Sequence, residues 1–190
     1  MILVTVGAAV KGLEFDRLII KMDAIAGRLE EPVLMQIGSS EYRPKNAEYF
    51  FYKPFNEMRA LFASAKLIVG HCGSGTVLNS LLEEKPLVVV PRLQEFGEGH
   101  RDNHQLSLAA WVQATKGVTV VHGIENLEEA VRAALSQKNT SVAEAQRSEA
   151  NKSLLETIRQ FVEGQGVPVT SNKLSQPASF SGRSIQHFNQ

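Results

Sequence analysis

The 190-residue sequence predicts a single α/β domain built on a parallel sheet, and three features of the chain support this prediction. Short apolar runs alternate with longer segments of helical periodicity. The apolar runs are unbroken, which is typical of strands that helices cover on both faces. Two of these runs end in glycine-rich or polar loops, and α/β domains hold their ligands at the carboxyl ends of strands.

Strands and helices are predicted to alternate along most of the chain, which favours a doubly wound, Rossmann-like sheet. The first helix is the clearest, because Leu18, Met22, Ile25 and Leu29 recur at helical spacing. We predict strands at residues 2–6, 33–37, 66–69, 87–90 and 118–121. We predict helices at residues 14–29, 55–63, 76–83, 104–113, 127–135 and 143–163.

The end of the chain differs in composition from the rest. Residues 164–190 are dominated by Ser, Gln, Asn, Pro and Gly, and their only charged side chains are Lys173 and Arg183. Such a segment buries too little apolar surface to order itself. We therefore predict one domain at residues 1–163 and a flexible polar tail at residues 164–190. The alternative is a tail that orders on a partner through its isolated apolar residues, which are Phe180, Ile185 and Phe188.

The composition excludes several classes of function. Lysine plus arginine number 20 and aspartate plus glutamate number 20, so the chain lacks the basic excess of a nucleic-acid-binding protein. The single cysteine, Cys72, excludes an internal disulfide and a thiolate zinc site. The N-terminus lacks the basic region of a secretory signal, and no stretch reaches the ~20 apolar residues that span a bilayer. We expect a cytosolic protein.

A glycine-rich turn at residues 70–75 joins the third predicted strand to the next helix. Glycines let the backbone approach a ligand, and a helix N-terminus offers free N–H groups and the positive end of its dipole. With the hydroxyls of Ser74 and Thr76, this turn suits a diphosphate. The alternative is a plain helix cap, because the turn is neither GxGxxG nor a P-loop. His71 has an alternative as a structural histidine, and we interpret Cys72 as a packing residue.

The loop at residues 93–103, after the fourth predicted strand, is rich in hydrogen-bonding groups and faces the same edge of the sheet. We predict that Asn103 caps the following helix and that His104 and Gln105 lie in its first turn, where they suit a sugar. The alternative is a solvated loop. A metal site formed by His100, Asp102 and His104 has no recognised ligand spacing, so we predict no metal.

Four segments resemble the C-terminal domain of family 28 glycosyltransferases. The resemblance is greatest to small split members, such as the catalytic subunit of the eukaryotic dolichol-linked GlcNAc transferase and its bacterial exopolysaccharide and capsule counterparts. The first segments are VTVG at residues 4–7 with FDRL at 15–18, and QIG at 36–38 with the loop that follows. The others are the turn at 70–76, and KPLVVVPR at 85–92 with Glu98, His100 and NHQ at 103–105. The match covers roughly residues 1–135.

The resemblance implies one Rossmann-like half of a GT-B enzyme that binds a UDP-sugar at the strand ends without a metal or other cofactor. By position, Gly73, Ser74, Gly75 and Thr76 would hold the diphosphate. His104 and Gln105 would contact the sugar, Gly7 would leave space near the diphosphate, and His71 would contact the donor or reacting centre as a candidate catalytic residue. The other candidates for donor or acceptor contacts are Asn79, Arg92, Glu98, His100 and Asn103.

Three positions depart from the family pattern. Ala8 replaces the hydroxyl-bearing residue that usually follows Gly7, and Gly99 is an extra residue before His100. Asn79 replaces a glutamate that would hold the ribose hydroxyls, and an amide binds them without charge assistance.

The missing half of the enzyme would be a separate membrane-anchored protein that binds a lipid-linked saccharide, with this chain peripheral at the cytoplasmic face. We predict that the helix at residues 143–163 docks this partner, packs on its own domain, or does both. The resemblance implies transfer with inversion of configuration. The alternatives are a non-catalytic nucleotide-sugar-binding or scaffold subunit and a self-sufficient epimerase or hydrolase of related fold.

Overall fold

The computed structural model describes residues 1–7, 11–12, 14–98 and 103–136, except for the side chain of His104. Within these residues, six parallel strands form one sheet in the order β3-β2-β1-β4-β5-β6. The strands are β1 (Ile2–Thr5), β2 (Val33–Gln36), β3 (Glu48–Phe50), β4 (Leu67–His71), β5 (Leu87–Val90) and β6 (Val118–Val120). The helices are α1 (Asp16–Ala26), α2 (Phe55–Ser64), α3 (Ser74–Leu82), α4 (His104–Val112) and α5 (Leu127–Ser136). The predicted α/β class is confirmed.

The strand order creates a crevice at the centre of the sheet. From β1 the chain moves outward through β2 to β3, then crosses back to place β4 on the other side of β1. The loops that leave β1 and β4 lead to α1 and α3, which contribute to different apolar clusters. Such a topological switch point, outside the strand carboxyl ends, is where open α/β sheets bind ligands.

Two apolar clusters hold the helices against the sheet. The first joins Ile2 and Val4 of β1 to buried residues of α1 and α5, and the second joins Leu3 to residues of α2, α3 and α4. Side chains alternate across a strand, so consecutive β1 residues serve opposite layers. This two-sided burial explains the unbroken apolar runs of the sequence.

The predicted turn at residues 70–75 is shorter than expected. Gly70 and His71 continue β4, where they pair with Val89 and Val90, and α3 already begins at Ser74. Gly70 permits this arrangement because a Cβ there would lie 2.9 Å from the Thr5 carbonyl oxygen and 3.0 Å from Cγ2 of Thr76. A side chain at this position would force β1, β4 and α3 apart.

Strand β3 was not predicted. It has three residues, pairs with β2 at the edge of the described sheet, and has no buried side chain. A short strand at the edge of a sheet does not need the apolar run by which buried strands are recognised. Its pairing places the loop that follows it at the carboxyl edge of the sheet.

Asp23 anchors the predicted polar loop at residues 39–46 to α1. Its carboxylate is 2% exposed and accepts hydrogen bonds from the Tyr42 hydroxyl at 2.7 Å, the Lys45 backbone N–H at 3.0 Å and the Asn46 backbone N–H at 2.7 Å. Burial alone would raise the pKa of the Asp23 carboxyl. The hydrogen bonds from Lys45, Tyr42 and Asn46 outweigh burial and lower this pKa below its usual value.

The predicted helix at residues 143–163 and the tail at residues 164–190 lie outside the described residues. Among the residues that are described, no helix is both long and apolar enough to cross a membrane.

We expect Asp23→Ala to lower the free energy of unfolding by about 2–3 kcal/mol, because it leaves buried N–H donors without acceptors. Urea denaturation at pH 7 measures the change, and Glu41→Ala, at an exposed position in the same loop, is the control. Because the folded-state pKa of Asp23 is lowered, its ionisation stabilises the protein above about pH 4 and this contribution fades as the pH falls. A gap between wild type and Asp23→Ala that is absent at pH 7, or that widens under acid, would contradict this role.

Candidate functional site

The candidate site lies at the switch point, where β1, β4 and β5 end. Gly7 follows β1, His71 ends β4 and leads through Gly73 into α3, and Arg92 follows β5. The sequence placed these residues in separate loops, and the parallel sheet brings the loops to one edge.

The first turn of α3 offers unused backbone donors. The first intrahelical bond runs from the Val77 N–H to the Gly73 carbonyl at 3.0 Å, so the N–H groups of Ser74, Gly75 and Thr76 precede the helical ladder. Gly73, the N-cap residue, has no side chain to cover them, and the first turn carries no acidic side chain. Ser74 and Gly75 are exposed. This helix end can therefore receive an anion.

His71 lies beside this helix end between two glycines. A Cβ on Gly7 or on Gly73 would overlap the His71 ring, and Gly7 has a φ of 71°, which other residues rarely adopt. With the ring in this place neither glycine leaves room for a side chain, and Gly7 needs glycine for its φ as well. The Thr76 hydroxyl, 3.2 Å from Nδ1 of His71, completes the contact between the ring and α3.

The His71 ring is neutral at physiological pH. Although part of the residue is exposed, desolvation of the ring dominates and, together with the positive charge of Arg92, lowers its pKa from 6.5 to about 4. A hydrogen bond with the Thr5 backbone acts in the opposite direction and is weaker. His71 can therefore donate or accept a hydrogen bond at this site without bringing a charge.

Arg92 is buried beneath the site and contacts three segments. It donates to the Val6 carbonyl at 2.7 Å and to the Glu98 carbonyl at 3.2 Å, and its backbone N–H donates to Oε1 of Gln105 at 3.0 Å. The guanidinium also lies 5.2 Å from the centroid of the Phe15 ring. Burial lowers the pKa of Arg92, while the charges of Glu98 and Glu14 raise it.

Glu98 is paired with Arg17 inside the protein. Nε and one terminal nitrogen of Arg17 each lie 2.8 Å from a different carboxylate oxygen of Glu98. Arg17 also donates to the Pro91 carbonyl at 3.1 Å and stacks at 4.6 Å on the exposed Phe96 ring. The pair ties α1 to the loop after β5, and the donor or acceptor contact of Glu98 stays a prediction.

Three further predicted residues have internal partners. Gln105 is 7% exposed and holds the Arg92 backbone, and Asn79 donates from its amide to the Gly75 carbonyl at 2.7 Å. Asn103 occupies the N-cap position of α4 as predicted, but it makes no side-chain capping bond. Its side-chain oxygen accepts instead from the Gln94 N–H at 2.9 Å, across the loop. The predicted cap position is therefore confirmed, but the Asn103 side chain bonds across the loop instead of to the helix.

The structure brings most of the predicted site residues to one edge, but it does not describe all of them. His100 lies outside the described residues, and His104 is described only as the first residue of α4. In the described part of the chain, no three His, Cys, Asp or Glu side chains are grouped to hold a metal ion. Cys72 is confirmed as a packing residue, since it is fully buried in the second cluster and burial raises its pKa to about 11.

Sequence reasoning gave no role to Thr5 or Arg17. The Thr5 hydroxyl donates to Oε1 of Gln36 at 2.6 Å and accepts from the Gly7 N–H at 3.2 Å, so it holds the Gly7 turn. Both residues stand inside the quoted VTVG and FDRL motifs. A polar side chain beside buried apolar residues indicates that it has an internal partner. The sequence does not show which one, because the partners, Gln36 and Glu98, are 31 and 81 residues away.

Comparison with curated proteins gives one informative relative. The UDP-N-acetylglucosamine transferase subunit ALG13 of Eremothecium gossypii is 28% identical over 102 residues, which are 53% of this chain and 48% of the relative. The chain therefore spans about half the length of the curated relative it matches.

Solved structures show the same fold in glycosyltransferases of the GT-B type. The kitacinnamycin glycosyltransferase superposes with a TM-score of 0.62 at 19% identity, covering 86% of this chain and 42% of that one. SnogD from Streptomyces nogalater gives a TM-score of 0.56 at 19% identity, covering 85% and 42%. MurG from Acinetobacter baumannii gives 0.54 at 16% identity, covering 83% and 49%. The chain matches a little under half of each.

The family assignment follows from the sequence match. Residues 1–160 match the family model described as the glycosyltransferase family 28 C-terminal domain, which extends beyond the resemblance at residues 1–135. With most of its 190 residues covered by that match, the chain belongs to glycosyltransferase family 28.

Proposed function

We propose that this chain is the donor-binding subunit of an inverting UDP-sugar glycosyltransferase that works with a second protein. The observation that supports the proposal most directly is the open first turn of α3 at the switch point. The N–H groups of Ser74, Gly75 and Thr76 precede the helical ladder, and Gly7, Gly73 and a neutral His71 lie next to this helix end.

A diphosphate fits the chemistry of this helix end. Consecutive free amides and the positive end of the helix dipole favour an anion. Gly75 has no atom within 4 Å of the place where a Cβ would stand, so a ligand can approach the backbone closely. We expect UDP to bind here without a metal or other cofactor, because backbone donors that are already in place can stabilise the departing diphosphate.

The rest of the donor belongs along the same edge of the sheet. We propose that His104 and Gln105, in the first turn of α4, lie towards the donor sugar and that Asn79, on α3, lies towards the ribose. The predicted contacts of His100 and Asn103 stay proposals of the same kind. The printed name of the curated relative supports a UDP-sugar, since that protein is a UDP-N-acetylglucosamine transferase subunit.

His71 suits a hydrogen-bonding role better than the role of general base. A histidine with a pKa of about 4 accepts a proton poorly at neutral pH, whereas an efficient base has a pKa near the working pH. We therefore assign His71 to a neutral contact with the donor. We assign deprotonation of the acceptor hydroxyl to the partner.

The partner is proposed because the curated relative is named as a subunit of a transferase. The GT-B neighbours are more than twice as long as the part that this chain matches. We propose that a separate membrane-anchored protein supplies the acceptor half and binds a lipid-linked saccharide. The transfer would then occur at the cytoplasmic membrane face during glycan or exopolysaccharide synthesis.

One observation favours a second candidate, a non-catalytic nucleotide-sugar-binding or scaffold subunit. Asn79 replaces the family's ribose-binding glutamate, and its amide is already directed to the Gly75 carbonyl. A subunit with weakened donor contacts would support a complex without performing transfer itself.

Gly75→Asp is expected to weaken UDP binding by roughly a hundredfold, because it places a negative charge against the diphosphate. Isothermal titration calorimetry with UDP measures the change. The fold should tolerate the variant, since the site of the new Cβ is open and an acidic residue in the first turn suits the helix dipole.

Gly75→Asn is the matched control, with nearly the same size and no charge. We expect it to retain more affinity than the aspartate variant. Equal affinity of wild type and Gly75→Asp for UDP would rule out the first turn of α3 as the diphosphate site.

Sugar transfer is expected only when the chain is produced together with its membrane-anchored partner. The assay follows radiolabelled sugar from a UDP-sugar into the lipid fraction. Turnover of the UDP-sugar by the chain alone would favour an epimerase or hydrolase. UDP binding without transfer, when the partner complex is intact, would favour the non-catalytic subunit.

A further inference from the structure

We propose that Arg92 is a positioning residue of the donor site, which fixes the Gly7 turn beside the His71 ring and does not itself touch the donor. This inference rests on the proposed function, because it concerns the same site. It revises the expectation that Arg92 contacts the donor or acceptor.

The two terminal nitrogens of Arg92 are directed at backbone carbonyls. One donates to Val6 at 2.7 Å and the other to Glu98 at 3.2 Å, and the residue is 8% exposed. A guanidinium with this orientation lies within the protein, where it joins the end of β1 to the loop after β5. The planar fork suits two acceptors at fixed positions, and a lysine ammonium cannot reproduce it.

The Val6 carbonyl immediately precedes the Gly7 turn. The turn is held on its other side by the Thr5 hydroxyl, 3.2 Å from the Gly7 N–H. Gly7 packs so closely on the His71 ring that a Cβ would overlap it. A shift of the Val6 carbonyl would therefore move Gly7 against His71 and change the space beside α3.

The same residue fixes the other side of the site. The Arg92 backbone N–H donates to the Gln105 side chain at 3.0 Å. Gln105 lies in the first turn of α4. The Glu98 carbonyl is held by Arg92, while the Glu98 carboxylate is held by Arg17. The loop after β5 is thus fixed from two directions by two arginines.

Arg92 also acts on His71 through its charge. Among the described residues, the charged group that acts on the ring is Arg92, and Thr5 and Thr76, which contact the ring from β1 and α3, are uncharged. Glu98 and Glu14 act on Arg92 in turn. Loss of the Arg92 charge would therefore make the His71 ring easier to protonate.

The test compares two variants by two measurements. Arg92→Lys keeps the positive charge but loses the planar guanidinium that bonds two carbonyls. Arg92→Met removes both the charge and the guanidinium. Arg59→Lys and Arg59→Met are the controls, because Arg59 lies on α2, is 67% exposed and pairs at the surface with Glu83. Circular dichroism and thermal unfolding establish that each variant is folded.

The first measurement is the protonation of the His71 ring in the ligand-free protein. Nitrogen-15 NMR at pH 5 reports it, and the signal is assigned by its loss in His71→Gln. With a pKa of about 4, about one tenth of the wild-type rings are protonated at pH 5. We expect a larger fraction in Arg92→Met and the wild-type fraction in Arg92→Lys. An unchanged fraction in a folded Arg92→Met would refute the electrostatic contact.

The second measurement is UDP affinity by calorimetry. We expect Arg92→Lys to bind roughly tenfold more weakly than wild type, and both Arg59 variants to bind normally. Wild-type affinity in Arg92→Lys would overturn the positioning role, and this variant decides the matter if Arg92→Met does not fold. A crystal structure with the Arg92 guanidinium hydrogen-bonded to UDP would also overturn it.

These outcomes separate the inference from the proposed function. If wild-type protein does not bind UDP at all, the proposed function fails. The protonation of His71 in the ligand-free variants still reports whether Arg92 acts on the ring.

Discussion

The close pairing of β1 with β4 is the constraint on which the rest of this structure depends. Thr5 lies opposite Gly70 in the register, and α3 packs on the same point through Thr76. Only a residue without a side chain fits at position 70. This contact brings the ends of β1 and β4 together, with α1 and α3 leaving them for different apolar clusters. A ligand crevice outside the sheet is the geometric consequence.

The charges around the crevice follow a consistent arrangement. Among the described residues of the proposed site, the donors include the α3 backbone N–H groups and the neutral His71, whereas the formal charges of Arg17, Glu98 and Arg92 are paired or turned inward. Fixed dipoles at the surface and compensated charges beneath it suit a pyrophosphate group that must both bind and depart. Burial and, to a lesser extent, the charge of Arg92 keep the imidazole uncharged, and the same arginine is the residue proposed to position the Gly7 turn.

The agreement between sequence and structure is closest where a local pattern is sufficient. Buried strands, amphipathic helices and the α3 N-terminus all follow from residues a few positions apart, and the structure has them within a few residues of the predicted bounds. Predictions failed where partners are distant or where burial was absent. Strand β3 has no buried side chain by which it could be recognised. The Asn103 side chain accepts a hydrogen bond from the Gln94 N–H instead of from the helix that it precedes.

By itself, the sequence determined the α/β class, the family resemblance and the helix start beside the glycines, because each follows from residues that are close together in the sequence. The tertiary structure alone decided that Gly7 and Gly73 enclose His71, that Glu98 pairs with Arg17, and that Arg92 lies beneath the site. Apart from the contact of Gly73 with His71, these contacts join residues that are dozens of positions apart. They exist because parallel strands bring all their carboxyl ends to one edge, and the strand order then selects which loops meet there.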